Sequence, residues 1–303
     1  MSPLRIVSVF GATGTQGSAV IRGLLEDGTF TPRAITRNPD SERSLKLKAQ
    51  GVEVVKGDTL DKDSLVAALR GSEAVFGITV PIHPVKAEGE GPNEIVQGKN
   101  MVDAAKEVGV KFFIFSSGPD ISKLTGGKYK NLLVTEQKLV VDEYLKSSGL
   151  PHTSLLPGTF LENFWKYGGL QKTAKGFDIA VPIFSPTDTN SFTWIGRDYP
   201  ATVLALLKNY EDPSKNILGR SYQVVNASIT YPEVAAMASK ALGVEVTFTS
   251  LPTSGVAYRD EIFKCLVEYG GLYTARHPDL VALGVEFRSV QEFMDTELKS
   301  RFG

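Results

Sequence analysis

The sequence predicts an α/β protein: a doubly wound parallel sheet followed by a smaller α+β C-terminal lobe. Three observations carry this expectation. Short apolar runs alternate with amphipathic stretches through the first half of the chain, and a glycine-spaced turn at 11–17, "GATGTQG", joins the first run to the first amphipathic stretch. After about residue 160 the alternation gives way to aromatic-rich and turn-rich sequence with scattered regular segments. Strands separated by helices form parallel sheets covered on both faces, with right-handed crossovers.

The elements follow in order. "LRIVSVF" (4–10) reads as a buried strand and Ser18 to Gly28 as a helix. "PRAITR" (32–37) is a second strand, and "SERSLKLKAQG" a helix with a glycine stop. "VEVVKGD" (52–58) is a third strand, followed by "DKDSLVAALRG", whose acidic first turn suits the helix macrodipole. "EAVFGITV" (73–80) is the fourth strand. Residues 93–108 carry Ile95, Met101, Val102, Ala105 and Val108 at helical spacing. "KFFIFSSG" (111–118), the helix "LVTEQKLVVDEYLKSSG" and "HTSLLPG" (152–158) complete the first half. Beyond it, "RDYPATVLALLKNYED" is a helix, "SYQVVN" (221–226) a strand, "TYPEVAAMASKALG" a helix and "VEVTFTS" a strand. "SVQEFMDTELKSRF" closes as an amphipathic helix with Ser289 as cap. The expected organisation is a nucleotide-binding domain over 1–158 and a smaller lobe over 159–303, with segments of the latter returning to the main sheet. The Pro/Gly-rich stretch 80–93 is a loop long enough to serve a function.

Bulk properties remove several classes. With 33 basic against 34 acidic residues, the net charge of −1 gives no electrostatic reason to expect nucleic acid or an anionic membrane as partner. One cysteine, Cys265, excludes an internal disulfide framework, and three scattered histidines argue against a histidine-rich metal site. No apolar stretch reaches the roughly 20 residues of a membrane helix, and the N-terminus lacks a signal-like pattern, so the expected compartment is the cytoplasm, with the nucleus open.

The glycine turn points to a ligand. A strand ends, a turn without side chains lets a pyrophosphate approach, and a helix N-terminus presents free N–H groups to it. Gly11, Gly14 and Gly17, with Thr13, Thr15 and Gln16 between them, fill these roles in a Rossmann-type fold; the spacing is G-x-x-G-x-x-G. After the second strand an acidic residue selects NAD and a basic one accommodates the additional phosphate of NADP. Arg37 stands there with Asn38 beside it, as a phosphate clamp or as a solvated loop residue. Asp58 faces the adenine end or caps the following helix. Thr79 and Val80, at the end of the fourth strand, complete the cofactor-facing loops. The expected cofactor is NADP.

These residues bring a family into view. "VFGATGTQGSAVIRGLLEDGTF", "TRNP", "GVEVVKGD", "FFIFSSG", "KLVVDEYLKSSGLPHTSLLPGTFLENF" and "GRDYPATVLALLK" resemble the NmrA-like family, atypical members of the short-chain dehydrogenase/reductase group. The resemblance implies a Rossmann domain preferring NADP(H). It also implies two kinds of activity, since some relatives are regarded as redox-sensing regulators and similar ether reductases are enzymes. Ordinary short-chain dehydrogenases place Tyr-x-x-x-Lys on the helix after the fifth strand, the tyrosine trading a proton with the substrate oxygen. Here Lys138 holds the lysine position, and Val134, which cannot donate a proton, stands four residues before it. Tyr129 is too far along the chain to replace the phenol. Lys138 either reaches the nicotinamide ribose, with a catalytic proton role, or pairs with Asp142 at i+4.

Ser116 or Ser117 resembles the family's serine position, a local turn being the alternative. Pro157, Gly158, Thr159 and Phe160 are expected against the nicotinamide. Glu162, beside Asn163, is a general acid if burial raises its pKa, or else caps or salt-bridges the following helix. His152 reads as a strand-entry residue, and Trp165, Tyr167 and Trp194 as core aromatics or cleft lining. Cys265 lacks the basic surroundings of a reactive thiolate. Two functions follow: an NADP(H)-dependent oxidoreductase acting on a small organic molecule, or a sensor that binds a protein partner according to its cofactor state.

Overall fold

Apolar runs bounded by turn residues form the strands β1 (Ile6–Val9), β2 (Thr31–Thr36), β3 (Glu53–Lys56), β4 (Ala74–Gly77), β5 (Phe112–Ser116) and β6 (His152–Pro157). They are followed by β7 (Thr159–Phe160), β8 (Gln171–Lys172), β9 (Gly176–Pro182), β10 (Thr189–Thr193), β11 (Arg220–Val224), β12 (Ala227–Thr230) and β13 (Glu245–Leu251). The helices that position the site are α1 (Thr15–Asp27), α2 (Glu42–Ala49), α3 (Lys62–Leu69), α4 (Glu94–Glu107), α5 (Ile121–Leu124), α6 (Leu133–Ser147), α7 (Asn163–Lys166), α8 (Ile195–Asn209) and α9 (Tyr231–Leu242). The structure, a computed structural model, describes residues 4–303 apart from 84, 130, 131, 167, 270 and 272, and leaves out the side chain of Val134. Two compact units emerge, each assembled from separate stretches of chain.

The first unit comprises Met1–Asp120, Leu133–Leu156 and Tyr199–Tyr222. Its sheet has the order β11-β6-β5-β4-β1-β2-β3. Pairing is parallel from β6 through β5, β4, β1 and β2 to β3. The chain runs outward over β2 and β3, then returns to build β4, β5 and β6 on the other side of β1. The strand order therefore reverses between β1 and β4, and the loops leaving these strands part there. Ala74–Phe76 and Phe112–Phe115 are fully buried, as strands covered on both faces require, and this is why they read as unbroken apolar runs. On one face Gly23 of α1 lies against Pro200 of α8, where a Cβ on Gly23 would stand 2.4 Å from the proline Cβ.

Several boundaries differ from the sequence expectation. α1 begins at Thr15 rather than Ser18, because the carbonyl of extended Gly14 already accepts the Ser18 N–H at 3.1 Å. The fourth strand ends at Gly77 rather than Val80, and Thr79 instead turns its hydroxyl to α4.

The second unit comprises Ile121–Leu132, Pro157–Asp198 and Gln223–Gly303. It holds two three-stranded sheets, β12-β10-β7 and β13-β9-β8, around a core that includes Phe164, Phe184, Phe192, Trp194, Tyr231 and Phe293. α9 opens with a capping box between Thr230 and Glu233. The closing helix is not a uniform α-helix. Ser289 caps Val290–Phe293, a π-helical turn covers Met294–Leu298, and Lys299–Phe302 is α-helical again. The wider turn leaves Phe293, Met294 and Leu298 all buried.

Candidate functional site

The turn between β1 and α1 is built by its own glycines. Gly11 sits at φ +62°, and a Cβ there would come within 2.7 Å of Ile78 Cγ2. A Cβ on Gly17 would stand 2.3 Å from the Gly11 carbonyl oxygen, so this glycine lets the helix pack on the turn. Gly14 is different. Its N–H donates to the Gly11 carbonyl at 2.8 Å, and a Cβ would meet only that oxygen, at 3.2 Å. α1 has no side-chain cap and no acidic residue in its first turn, which suits an anion at its N-terminus. Thr13 and Thr15 are partly exposed, whereas Gln16 is buried and its Oε1 has no hydrogen-bond partner among the described residues.

In front of this turn lies a cleft of about 340 Å³. Gly11 and Thr13 form its floor, Arg37 and Asn38 one wall, Asp58 another, and Val80 with Pro81 the loop after β4. Arg37 is exposed and makes no hydrogen bond or ion pair among the described residues. The loop behind it is anchored: the Asn38 carbonyl accepts from the Ser44 hydroxyl at 2.8 Å, and Asn38 Oδ1 accepts from the Asp40 N–H at 3.1 Å. Asp58 accepts the Leu60 N–H at 3.0 Å in a local turn. It does not cap the next helix, because Asp61 does so by accepting the Ser64 N–H at 3.2 Å.

Behind the same loop stands a partly buried polar cluster. Lys138 Nζ donates to Glu94 Oε2 at 2.5 Å, to the Thr79 hydroxyl at 2.9 Å and to the Thr79 carbonyl at 3.1 Å. The alternative reading of Lys138, an i+4 pair with Asp142, does not hold. Asp142 is engaged by Lys146 at 3.2 Å and by the Ser154 hydroxyl. Gln97 clamps Val80 from both sides, accepting its N–H at 3.0 Å and donating to its carbonyl at 2.8 Å. Neither Glu94 nor Gln97 was singled out from sequence; the available signal was an acid and an amide at the start of the helix that follows a long loop.

The remaining candidates fall in different settings. Ser116 is buried with its hydroxyl 3.1 Å from that of Tyr199, whereas the buried Ser117 hydroxyl has no partner among the described residues. Pro157 ends β6, and Thr159–Phe160 pair with β10 in the second unit. The Gly158 N–H is taken by Thr193 Oγ1 at 2.8 Å. His152 enters β6 with Nδ1 on the Leu150 carbonyl at 2.8 Å. Trp165 stacks on Phe293 at 5.4 Å and Trp194 meets the same ring edge-on, so both serve the core of the second unit. Tyr167 lies outside the described residues. The Tyr129 hydroxyl donates to Glu268 at 2.7 Å, and burial pushes the Cys265 thiol up to about 11.

Glu162 is buried, and burial holds its pKa above the ordinary carboxylate value. Its carboxylate accepts the N–H groups of Gly196 at 2.7 Å and Ile195 at 3.2 Å, so the helix it caps is α8 rather than α7. Asp198 supports the same helix end by accepting the Trp194 N–H at 2.7 Å, and burial pushes its pKa up from 3.8 to about 7. Between these values the folded state holds a proton that the unfolded chain has released. Asp198 therefore costs stability progressively as pH rises from 4 to 7, on the order of 2 to 4 kcal/mol in all. Asp198→Asn should gain on the unaltered protein over that range in thermal melts, and a pH-independent difference would contradict this.

Sheet order, switch point and glycine turn make the first unit a Rossmann-type fold. The chain belongs to the NmrA-like family, whose model matches residues 4–269. The NmrA-like family domain-containing oxidoreductase FrzB of Cladobotryum sp. is 40% identical over 161 residues, covering 52% of this chain and 48% of that protein. The chain spans about half the length of the first curated relatives it matches. Among solved structures, NmrA, a negative transcriptional regulator, in complex with NADP superposes with a TM-score of 0.77 at 19% identity, covering 99% of this chain and 97% of that one. Citrobacter sp. triphenylmethane reductase complexed with NADP(H) gives 0.71 at 20% identity, covering 96% and 99%. At such identities the likeness is one of fold. Among the described residues, no helix is long and apolar enough to cross a membrane, and no group of three or more His, Cys, Asp or Glu is placed to hold a metal.

Proposed function

We propose that this chain is an NADP(H)-dependent oxidoreductase that reduces a small organic molecule at an already activated centre. The observation that carries the reading is Arg37, exposed beside the cleft in front of the glycine turn and without an internal partner among the described residues. The cleft residues fit NADP: the turn leaves room at Gly14 for a pyrophosphate, α1 offers its uncapped N-terminus, and Arg37 matches a 2′-phosphate. When bound, the cofactor supplies or accepts hydride. The chain's own residues bind and orient: Arg37 and Asn38 hold the adenosine phosphate, and Asp58 faces the adenine side. Thr13 to Gly17 cradle the diphosphate, and Lys138 fixes the nicotinamide ribose. Pro157 to Phe160 are the residues we assign to the carboxamide.

Arg37→Ala tests the cofactor assignment. Losing a charge-assisted phosphate contact should weaken NADP binding by about 1.5 to 3 kcal/mol in calorimetry, with little change for NAD. Equal losses for both dinucleotides would contradict the assignment.

A second reading is supported by Val134 at the tyrosine position and by the full internal engagement of Lys138. In that reading the chain turns nothing over, and its affinity for a protein partner depends on bound NADP. Capture of a partner in one cofactor state only, with no NADPH oxidation by any acceptor, would favour it.

A further inference from the structure

We propose that Glu94 is a positioning residue for the dinucleotide site: its buried carboxylate tethers Lys138 while a ribose hydroxyl takes the place of Thr79 on the ammonium. The proposal rests on the dinucleotide reading above and extends it to a residue that no motif marks. An ammonium has three N–H donors. All of them are committed here, to Glu94 Oε2, the Thr79 hydroxyl and the Thr79 carbonyl. Lys138 can therefore hold a ribose hydroxyl only by giving up one of these contacts.

The contact it keeps follows from charge. Every bond from the ammonium is charge-assisted, but only Glu94 carries the opposite charge and adds direct Coulomb attraction, so Glu94 is retained and a Thr79 acceptor is exchanged. Glu94 is itself held in place. It is 1% exposed at the start of α4, directly after the cap Asn93, and its N–H donates to Gln137 Oε1 at 3.0 Å. Gln137 precedes Lys138 on α6, so one helix fixes both partners of the ion pair. The other carboxylate oxygen, Glu94 Oε1, is buried with no hydrogen-bond partner among the described residues. A hydroxyl suits such a pair, since it accepts from the ammonium and donates to a carboxylate.

The test separates the two ends of the cofactor. Calorimetry compares NADPH with 2′,5′-ADP, which carries the adenosine phosphates and lacks the nicotinamide riboside. Glu94→Gln, checked for folding by thermal melting, should bind NADPH about tenfold more weakly, a change of about 1.4 kcal/mol. Its affinity for 2′,5′-ADP should stay within about twofold. Glu94→Asp, which keeps the charge and shortens the reach, should show the same selective loss at smaller size. Equal losses for both ligands would mean that Glu94 only supports the loop lining the cleft, and no loss for either would mean that it positions nothing. Both outcomes overturn the proposal. If the unaltered protein binds neither ligand, the dinucleotide reading falls first and this one with it.

Discussion

Gly14→Val should abolish NADP binding while the protein still folds. The three glycines of the turn are needed for different reasons, and the contrast makes the expectation specific. Gly11 needs its left-handed backbone, and Gly17 needs the absence of a Cβ 2.3 Å from a carbonyl oxygen, so substitutions at either strain the fold itself. At Gly14 the backbone is extended at φ −93°, ordinary for any residue, and the nearest atom to an added Cβ is 3.2 Å away. A valine there asks the Gly11 carbonyl to give by a few tenths of an ångström, a small strain beside that at Gly11 or Gly17, and projects into the space a pyrophosphate would occupy. We expect at least a hundredfold loss of affinity, roughly 3 kcal/mol or more, with the melting temperature lowered by only a few degrees. Normal NADP binding by this variant would place the phosphate cradle elsewhere. Gly17→Ala should do the reverse and lower the melting temperature sharply.

Simple ketones should be reduced poorly or not at all, and activated acceptors much faster. Reduction of a ketone asks for a proton at the oxygen as hydride arrives, and Val134 cannot provide it. An iminium, an enone or a quinone-methide-like carbon needs less help from an acid in the transition state. A positioned general acid contributes typically 100- to 10,000-fold, so the gap between the two acceptor classes should be at least about 100-fold. Lys138→Ala should lower turnover on the activated acceptors by misplacing the ribose. The assay follows NADPH absorbance over a panel of both classes, and fast reduction of simple ketones would refute the proton-donor argument.

The legible parts of this fold are those whose cause is local. β4 and β5 show as continuous apolar runs because both of their faces are covered, and the glycine turn shows because two of its positions tolerate no side chain. Of the small sheets of the second unit, only β13 left such a trace, as "VEVTFTS". β7 and β8 are two residues long, too short for any alternation to register. The π-helical turn was equally hidden, since Phe293, Met294 and Leu298 also fit an ordinary amphipathic helix.

At the site, sequence could nominate Arg37 and Lys138 but not the partner of Lys138. Glu94 lies 44 positions away, and nothing local links them. The helical rule nominated Asp142, four residues on; tertiary structure instead gave Asp142 to Lys146 and Ser154. For Asp58 the rule was right about the chemistry of the segment and wrong about the residue, because the cap lies three residues on, at Asp61, and the helix begins at Lys62.

The interleaving of the two units bears on how this chain can be made. The backbone passes from one to the other after residues 120, 132, 156, 198 and 222, so no single cut in the gene separates them. On the ribosome the large sheet waits for its last strand until residue 224 has emerged, long after its other six strands are available. Until then β6 forms an unpaired margin, the kind of edge that invites pairing with another nascent chain. A fragment ending at 158 would carry that margin permanently.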